Sequence, residues 1–98
     1  MAFEDNYDFE LLKNGAEKLV IHELERQLGA YKGEICRCND CVVDMAAISL
    51  NSVKPLYRFS LLGTLYTVQA MNEKAYADSV QKAVAQAIER VRKNPSHD

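Results

Sequence analysis

Three cysteines at positions 36, 38 and 41 form the densest group of chemically reactive side chains in this 98-residue sequence. Thiolates bind Zn²⁺ well, and a tetrahedral site requires ligands that converge from a tight turn. Asn39 and Asp40, which separate Cys38 from Cys41, are good turn formers, and a two-residue gap is usual in zinc knuckles. The spacing therefore predicts a zinc site whose ligands are Cys36, Cys38 and Cys41.

Two other interpretations of these cysteines stay open: a redox-active or catalytic thiol, and inert buried or loop thiols. A disulfide framework is disfavoured, because an odd number of cysteines leaves one thiol over in every pairing. Three thiolates leave the fourth position of a tetrahedral ion open. The candidates for that position are His22, His97, Asp44, an oxygen atom of a partner chain, and water. No general base is identifiable beside the cluster, so a structural zinc is favoured over a catalytic one.

The elements that must position the cysteines are predicted to be helices. Apolar residues follow helical spacing from Phe9 to Leu28, with Asp8 as a candidate N-cap and Gly29 as a candidate end. A glycine interrupts the middle of this helix, so the helix alternatively begins near Asn14. Residues 29–38 then form the loop that carries the first two cysteines.

Two further helices are expected after this loop. One runs from Asp40 to about Asn51, is capped by Asn39 or by Asp40 itself, and ends before the proline that follows. The other runs from Glu73 to Arg92 and keeps a single apolar stripe. Asn72 is its candidate cap, and basic residues occupy its last turn, where the helix dipole favours cations.

The segment between the second and third helices, residues 56–68, is rich in aromatic and β-branched side chains and predicts a short hairpin or extended segment. Residues 1–7 are expected to form a flexible acidic N-terminus, and residues 94–98 a flexible C-terminus. Residues 8–93 then form one domain. The predicted fold class is mostly α, a small single-domain helical protein with a Cys-rich zinc loop. Its small core favours stabilisation by a metal and by dimerisation.

The composition excludes several classes of protein. The formal net charge is −2, from 12 Lys+Arg against 14 Asp+Glu, which argues against direct nucleic-acid binding. No apolar run approaches the roughly 18–20 residues of a membrane span, and the acidic start differs from a secretory signal. Phosphate-binding glycine loops and common hydrolase motifs are missing from the sequence. We therefore expect a cytoplasmic protein without enzymatic activity.

The residues around and after the cysteines also follow a recognisable pattern. They are Cys36, Cys38, Cys41, Asp44, Leu50, Asn51, Pro55, Tyr57 and the sequence from Gly63 to Tyr66. This pattern resembles the late competence development ComFB family, and the flanking helices fit its usual order. The resemblance implies a small, mostly helical homodimer in the cytoplasm that holds zinc through its cysteines. It also implies an accessory or regulatory role in competence, the uptake of DNA.

Two alternative functions accompany this prediction. The resemblance implies cyclic dinucleotides (c-di-GMP or c-di-AMP) as ligands, and their phosphates and purines require cations, a carboxylate and stacking rings. Residues of these types near the motif are Arg37, Asp44, Asn51, Lys54, Tyr57 and Arg58. Alternatively, the apolar segment 56–68 and the amphipathic last helix form an interaction module for other competence proteins.

Overall fold

The computed structural model describes residues 2–58, 69 and 73–95, and these contain three long α-helices. The helices are α1 (Ala16–Ala30), α2 (Asn39–Ser52) and α3 (Lys74–Lys93). Two short 3₁₀ turns, Phe3–Asn6 and Phe9–Leu11, precede a strand β1 (Lys13–Asn14), which pairs antiparallel with β2 (Tyr57–Arg58). The prediction of a small, mostly α single domain is thus confirmed. None of the helices in this part of the chain has the length and apolar character needed to cross a lipid bilayer.

Helix α1 begins at Ala16, so the predicted start at Phe9 is wrong and the alternative start near Asn14 is confirmed. The cause is the side chain of Asn14, whose Oδ1 accepts hydrogen bonds from the backbone N–H of Ala16 at 3.1 Å and of Leu56 at 2.9 Å. The first bond satisfies a donor that a helix start leaves unpaired. At its other end, α1 continues one residue past Gly29.

Helix α2 begins at Asn39, and its N-cap position holds Cys38 rather than the predicted Asn39 or Asp40. The helix ends at Ser52, as the nearby proline led us to expect, and Val53 adopts extended backbone. The second cysteine of the motif is therefore also a structural part of α2. Its thiol sits where the first backbone N–H groups of the helix converge.

The core is formed where the apolar stripe of α3 meets the inward faces of α1 and α2. All seven residues of the predicted stripe are buried: Tyr76, Val80, Ala83, Val84, Ala87, Ile88 and Val91. Val20 of α1 and Met45 of α2 are fully buried against it, and α2 packs most extensively against α3. Each buried valine, isoleucine or methionine side chain contributes about 1.5–3 kcal/mol through burial. Helix α3 begins at Lys74, and its predicted cap, Asn72, lies outside the described residues.

The extended segment predicted over residues 56–68 is described as far as Arg58. There β2 pairs with β1, and the backbone N–H of Gly15 donates to the carbonyl of Leu56 at 2.8 Å. The strand is extended as predicted, but its partner is the strand before α1. The rest of the hairpin or extended segment predicted over residues 56–68, from residue 59 onward, lies outside the described part of the chain.

The acidic N-terminus carries an aromatic cluster. The rings of Phe3, Tyr7 and Phe9 contact one another, with centroids 4.8 to 6.3 Å apart, and all three side chains are exposed. The 3₁₀ turns bring these rings together. The flexibility expected of residues 1–7 and 94–98 stays a prediction.

Candidate metal centre

The three cysteine thiols come together where the loop after α1 enters α2. Their sulfur atoms all lie within 4.8 Å of one another. In a tetrahedral zinc site with Zn–S bonds of about 2.3 Å, two sulfur atoms are roughly 3.8 Å apart. Small side-chain rotations would close the difference, so the donor set fits a metal ion. Three thiols at this separation could hold a metal ion, as the spacing of the cysteines predicts.

Each cysteine is held by a different local feature. Cys38 occupies the N-cap, where its Sγ accepts a hydrogen bond from the backbone N–H of Cys41 at 3.4 Å and its carbonyl accepts from Val42 at 3.0 Å. Cys41 is completely buried in the first turn of α2, and Cys36 is half-buried in the loop. A metal bound here would therefore join a loop residue to a core residue.

The loop is directed toward α2 by a turn and an anchor. Gly33 has φ of +117°, a backbone conformation that residues with a Cβ rarely adopt. The guanidinium of Arg37 donates at 2.7 Å to the carbonyl of Leu28 in the last turn of α1, which also accepts from the backbone N–H of Tyr31 at 3.3 Å. Arg37 therefore pins the cysteine loop to the preceding helix, and it is exposed.

The local electrostatics favour the thiolate form that binds metals. The pKa of the Cys36 thiol is lowered, first by the backbone N–H of Cys38 and then by hydrogen bonds from the thiols of Cys38 and Cys41. The N-terminus of α2 adds the positive end of its dipole to the same place. Both influences act on the sulfur atoms that the metal would contact.

A cavity of about 530 Å³ lies between the cysteine loop and the end of α3. Cys36 and Arg37 line it from the loop, Met45 from α2, and Arg92 and Pro95 from α3 and the residues that follow it. The thiol cluster thus lies beside the C-terminal end of α3. This neighbourhood was not foreseen from the sequence, because α3 is more than thirty positions away along the chain.

The candidates for a fourth ligand lie in different places. Among the described residues, the group able to hold a metal consists of the three thiols. His22 lines a groove between α1 and α3 together with Ala77, and Ala77 is fifteen positions before Arg92, about 22 Å along a helix axis. The structure does not bring His22 to the cluster. Asp44 lines a separate groove, and His97 lies outside the described residues.

The six residues predicted to bind a cyclic dinucleotide are distributed over several surfaces. Asp44 and Asn51 line one groove of about 540 Å³ between α2 and α3. Arg37 lies at the cysteine loop, and Lys54 is exposed beyond the end of α2. Tyr57 is 60% exposed on β2. The structure describes the backbone of Arg58, which pairs with β1, but not its side chain.

Two residues of the Asp44–Asn51 groove were missed by sequence reasoning. Arg90 and Asn94, at the end of α3, line it with Asp44 and Asn51. The sequence does place a run of cations at the end of α3, but the helix dipole alone accounts for that run. Nothing local connects the end of α3 with the middle of α2, because their contact depends on tertiary packing.

The fold and the site define a class of small helical proteins in which, among the described residues, a thiol cluster lies at the start of the second of three long helices. Residues 13–95 match the family described as late competence development protein ComFB, and the chain belongs to this family. A similar solved structure is that of the late competence protein ComFB from Bacillus subtilis. It shares 27% identity and a TM-score of 0.69, over 87% of this chain and 92% of that one. No curated protein matches the sequence.

Proposed function

We propose that this protein is a non-enzymatic, zinc-binding, homodimeric accessory protein of late competence that acts in the cytoplasm. The observation that carries the proposal is the group of three thiols within 4.8 Å at the start of α2, in a chain that belongs to the ComFB family. Bound zinc would cross-link the cysteine loop to the core, which is a structural and not a catalytic role.

The position of the thiols supports a structural zinc. Cys41 is anchored in the core and Cys38 caps α2, whereas Cys36 belongs to a loop that is otherwise held to α1 by Arg37. A domain of this size has a thin core, and a structural metal commonly stabilises such domains. Zinc binding in small domains is coupled directly to folding.

Elemental analysis tests the zinc proposal. Untagged protein purified without added metal should contain one zinc per chain. Its three thiols should react with a thiol reagent slowly, and rapidly after a chelator has removed the metal. Metal-free protein with three thiols that react at once in native conditions would contradict the proposal.

The homodimer is supported by apolar side chains that the described structure leaves at the surface. Ile21 on α1 is 55% exposed and Val43 on α2 is 56% exposed. Symmetric dimers are the commonest oligomers, and they bury such side chains. Analytical ultracentrifugation at micromolar concentration should give the mass of a dimer. A monomer under these conditions would contradict this part of the proposal.

A cyclic-dinucleotide receptor is the second candidate function, and the groove between α2 and α3 favours it. Asp44, Asn51 and Arg90 provide a carboxylate, an amide and a guanidinium on one surface, and these groups recognise purine edges and phosphates. A binder should gain thermal stability with c-di-GMP or c-di-AMP. Arg90→Ala should lose this gain, and Lys82→Ala, an exposed cation elsewhere on α3, should keep it. No gain with either nucleotide would reject this function.

A further inference from the structure

We propose that residues 2–12, which we call the arm, hold a second copy of this chain by docking on the C-terminal end of its helix α3. The docking surface is a groove of about 510 Å³, which we call the α3-end groove. It is lined by Ala85, Gln86, Glu89, Arg90, Lys93 and Asn94. The inference rests on the proposed homodimer and names the surfaces that join its two chains. The match to the family begins at residue 13, so it does not account for the arm.

The arm presents an apolar surface to solvent. The rings of Phe3, Tyr7 and Phe9 contact one another, yet these side chains are between 50% and 70% exposed. Leu11 and Leu12 follow in the chain and are also about half exposed. A contiguous group of exposed apolar side chains is typical of an interaction site. The arm therefore gains by contact with another surface.

The arm and the α3-end groove carry opposite charges. The arm has four carboxylates and no cation: Glu4, Asp5, Asp8 and Glu10. Within the described part of the chain, none of the four forms an ion pair. In the groove, Glu89 is paired with Arg92 at 2.8 Å, while Arg90 and Lys93 add two positive charges. The acidic, aromatic arm thus complements the groove in charge.

Within one chain, the arm and the groove lie at opposite ends of α3. The arm leads into β1, which pairs with β2. Just before β2, the carbonyl of Lys54 accepts a hydrogen bond at 2.7 Å from the hydroxyl of Tyr76, in the first turn of α3. Arg90 follows Tyr76 by fourteen residues, about 21 Å along the helix axis. A second copy in antiparallel orientation brings each arm to the groove of the other, and a two-fold axis makes both contacts alike.

The apolar area of the two arms is enough for a stable dimer. An aromatic side chain buries about 150–250 Å² in full, so three rings that are at least half exposed offer roughly 350 Å² per arm. With an equal area on the groove and two arms per dimer, the contact buries about 1,400 Å², within the roughly 1,200–2,000 Å² of stable interfaces.

Exchanging charges between the arm and the groove tests the inference on the untagged chain. Analytical ultracentrifugation gives the dissociation constant of the dimer. Asp5→Lys with Asp8→Lys reverses charge on the arm, and Arg90→Glu with Lys93→Glu reverses charge in the groove. Each pair should raise the dissociation constant by about tenfold or more, because like charges then face each other. The chain with all four substitutions has the net charge of the wild type and should regain most of the lost affinity. Lys18→Glu, an exposed cation near the start of α1, is the control and should leave the dissociation constant unchanged.

The apolar part of the contact has its own variant. Phe3→Ser with Phe9→Ser keeps the charge of the arm and should also raise the dissociation constant by about tenfold or more. Circular dichroism spectra that match the wild type would show that these losses do not come from unfolding, since the substituted side chains are exposed.

The outcomes separate this inference from the homodimer proposal. A wild-type chain that stays monomeric would refute both. If the wild type is a dimer, and neither the charge reversals nor the serine variant weaken it, the homodimer stands and the arm is not part of its interface. If both reversals weaken the dimer but the chain with all four substitutions is no tighter than either, the arm and the groove do not face each other and the inference is wrong.

Discussion

Replacing Cys38 with serine separates its two roles, because Cys38 is both the N-cap of α2 and a proposed zinc ligand. The cysteine side chain is exposed and accepts a hydrogen bond from the backbone N–H of Cys41 at 3.4 Å. Serine is among the preferred N-cap residues. Cys38→Ser therefore keeps the cap while it removes a thiolate from the proposed site. If zinc is absent, the variant should be as stable as the wild type or slightly more stable.

The presence of zinc should reverse the sign of this effect. At a free zinc concentration of 100 times the dissociation constant, binding stabilises the folded state by about 2.7 kcal/mol. In a domain of roughly this size, 1 kcal/mol moves the melting temperature by about 4–8 °C. A variant that no longer binds zinc should thus melt roughly 10–20 °C below the zinc-loaded wild type. The same variant should melt at or above the wild type when a chelator is present.

Four thermal melts decide this prediction: wild type and Cys38→Ser, each with excess zinc and each with chelator. Asn39→Ala, next to the cap in the exposed first turn of α2, is the control and should keep the full zinc-dependent shift. An equal zinc-dependent shift in wild type and Cys38→Ser would refute the assignment of Cys38 as a ligand.

Three further predictions concern the framework around the site. Met45→Ala should lower the free energy of unfolding by about 2–5 kcal/mol in urea titrations, because the side chain is fully buried, whereas Met45→Leu should cost less than about 1.5 kcal/mol. An equal loss in the free energy of unfolding for Met45→Ala and Met45→Leu would show that side-chain volume at this position does not determine stability. Asn14→Ala should cost about 1–3 kcal/mol, because two backbone donors lose their shared acceptor; an unchanged urea midpoint would contradict this. Burial raises the pKa of Tyr76 above its usual value of 10.0, so the unfolded phenol ionises first. Stability should therefore fall as the pH rises from about 10 through the folded-state pKa, and urea titrations of Tyr76→Phe should lack this component of the pH dependence.

Elements whose signals are local could be predicted from the sequence. The stripe of α3 repeats at helical spacing, and every predicted position, from Tyr76 to Val91, is buried. The end of α2 follows from the proline after it, and the cysteines meet because all three lie within six consecutive residues, where the loop enters α2. Each of these features depends on residues that are neighbours in the chain.

Features that depend on distant residues could not be predicted. The start of α1 is set by Asn14, whose side chain bridges to the backbone of Leu56, 42 positions away. The groove lined by Asp44 on α2 is also lined by Arg90 on α3. Arg37, in contrast, donates a hydrogen bond to the end of α1. The sequence shows which types of side chain are present near the motif. Which of them lie on the same surface depends on tertiary packing.

The hydrogen bonds of Asn14 also have a consequence for the chemical ageing of the protein. Asn14 is followed by Gly15, a pair that deamidates readily because the glycine nitrogen can attack the carboxamide carbon. In the folded chain that nitrogen donates to the carbonyl of Leu56 at 2.8 Å, while Oδ1 of Asn14 is held by two backbone donors. Neither group is then free to form the succinimide ring. Native protein should resist conversion to isoaspartate at this position during storage, and denatured protein should not.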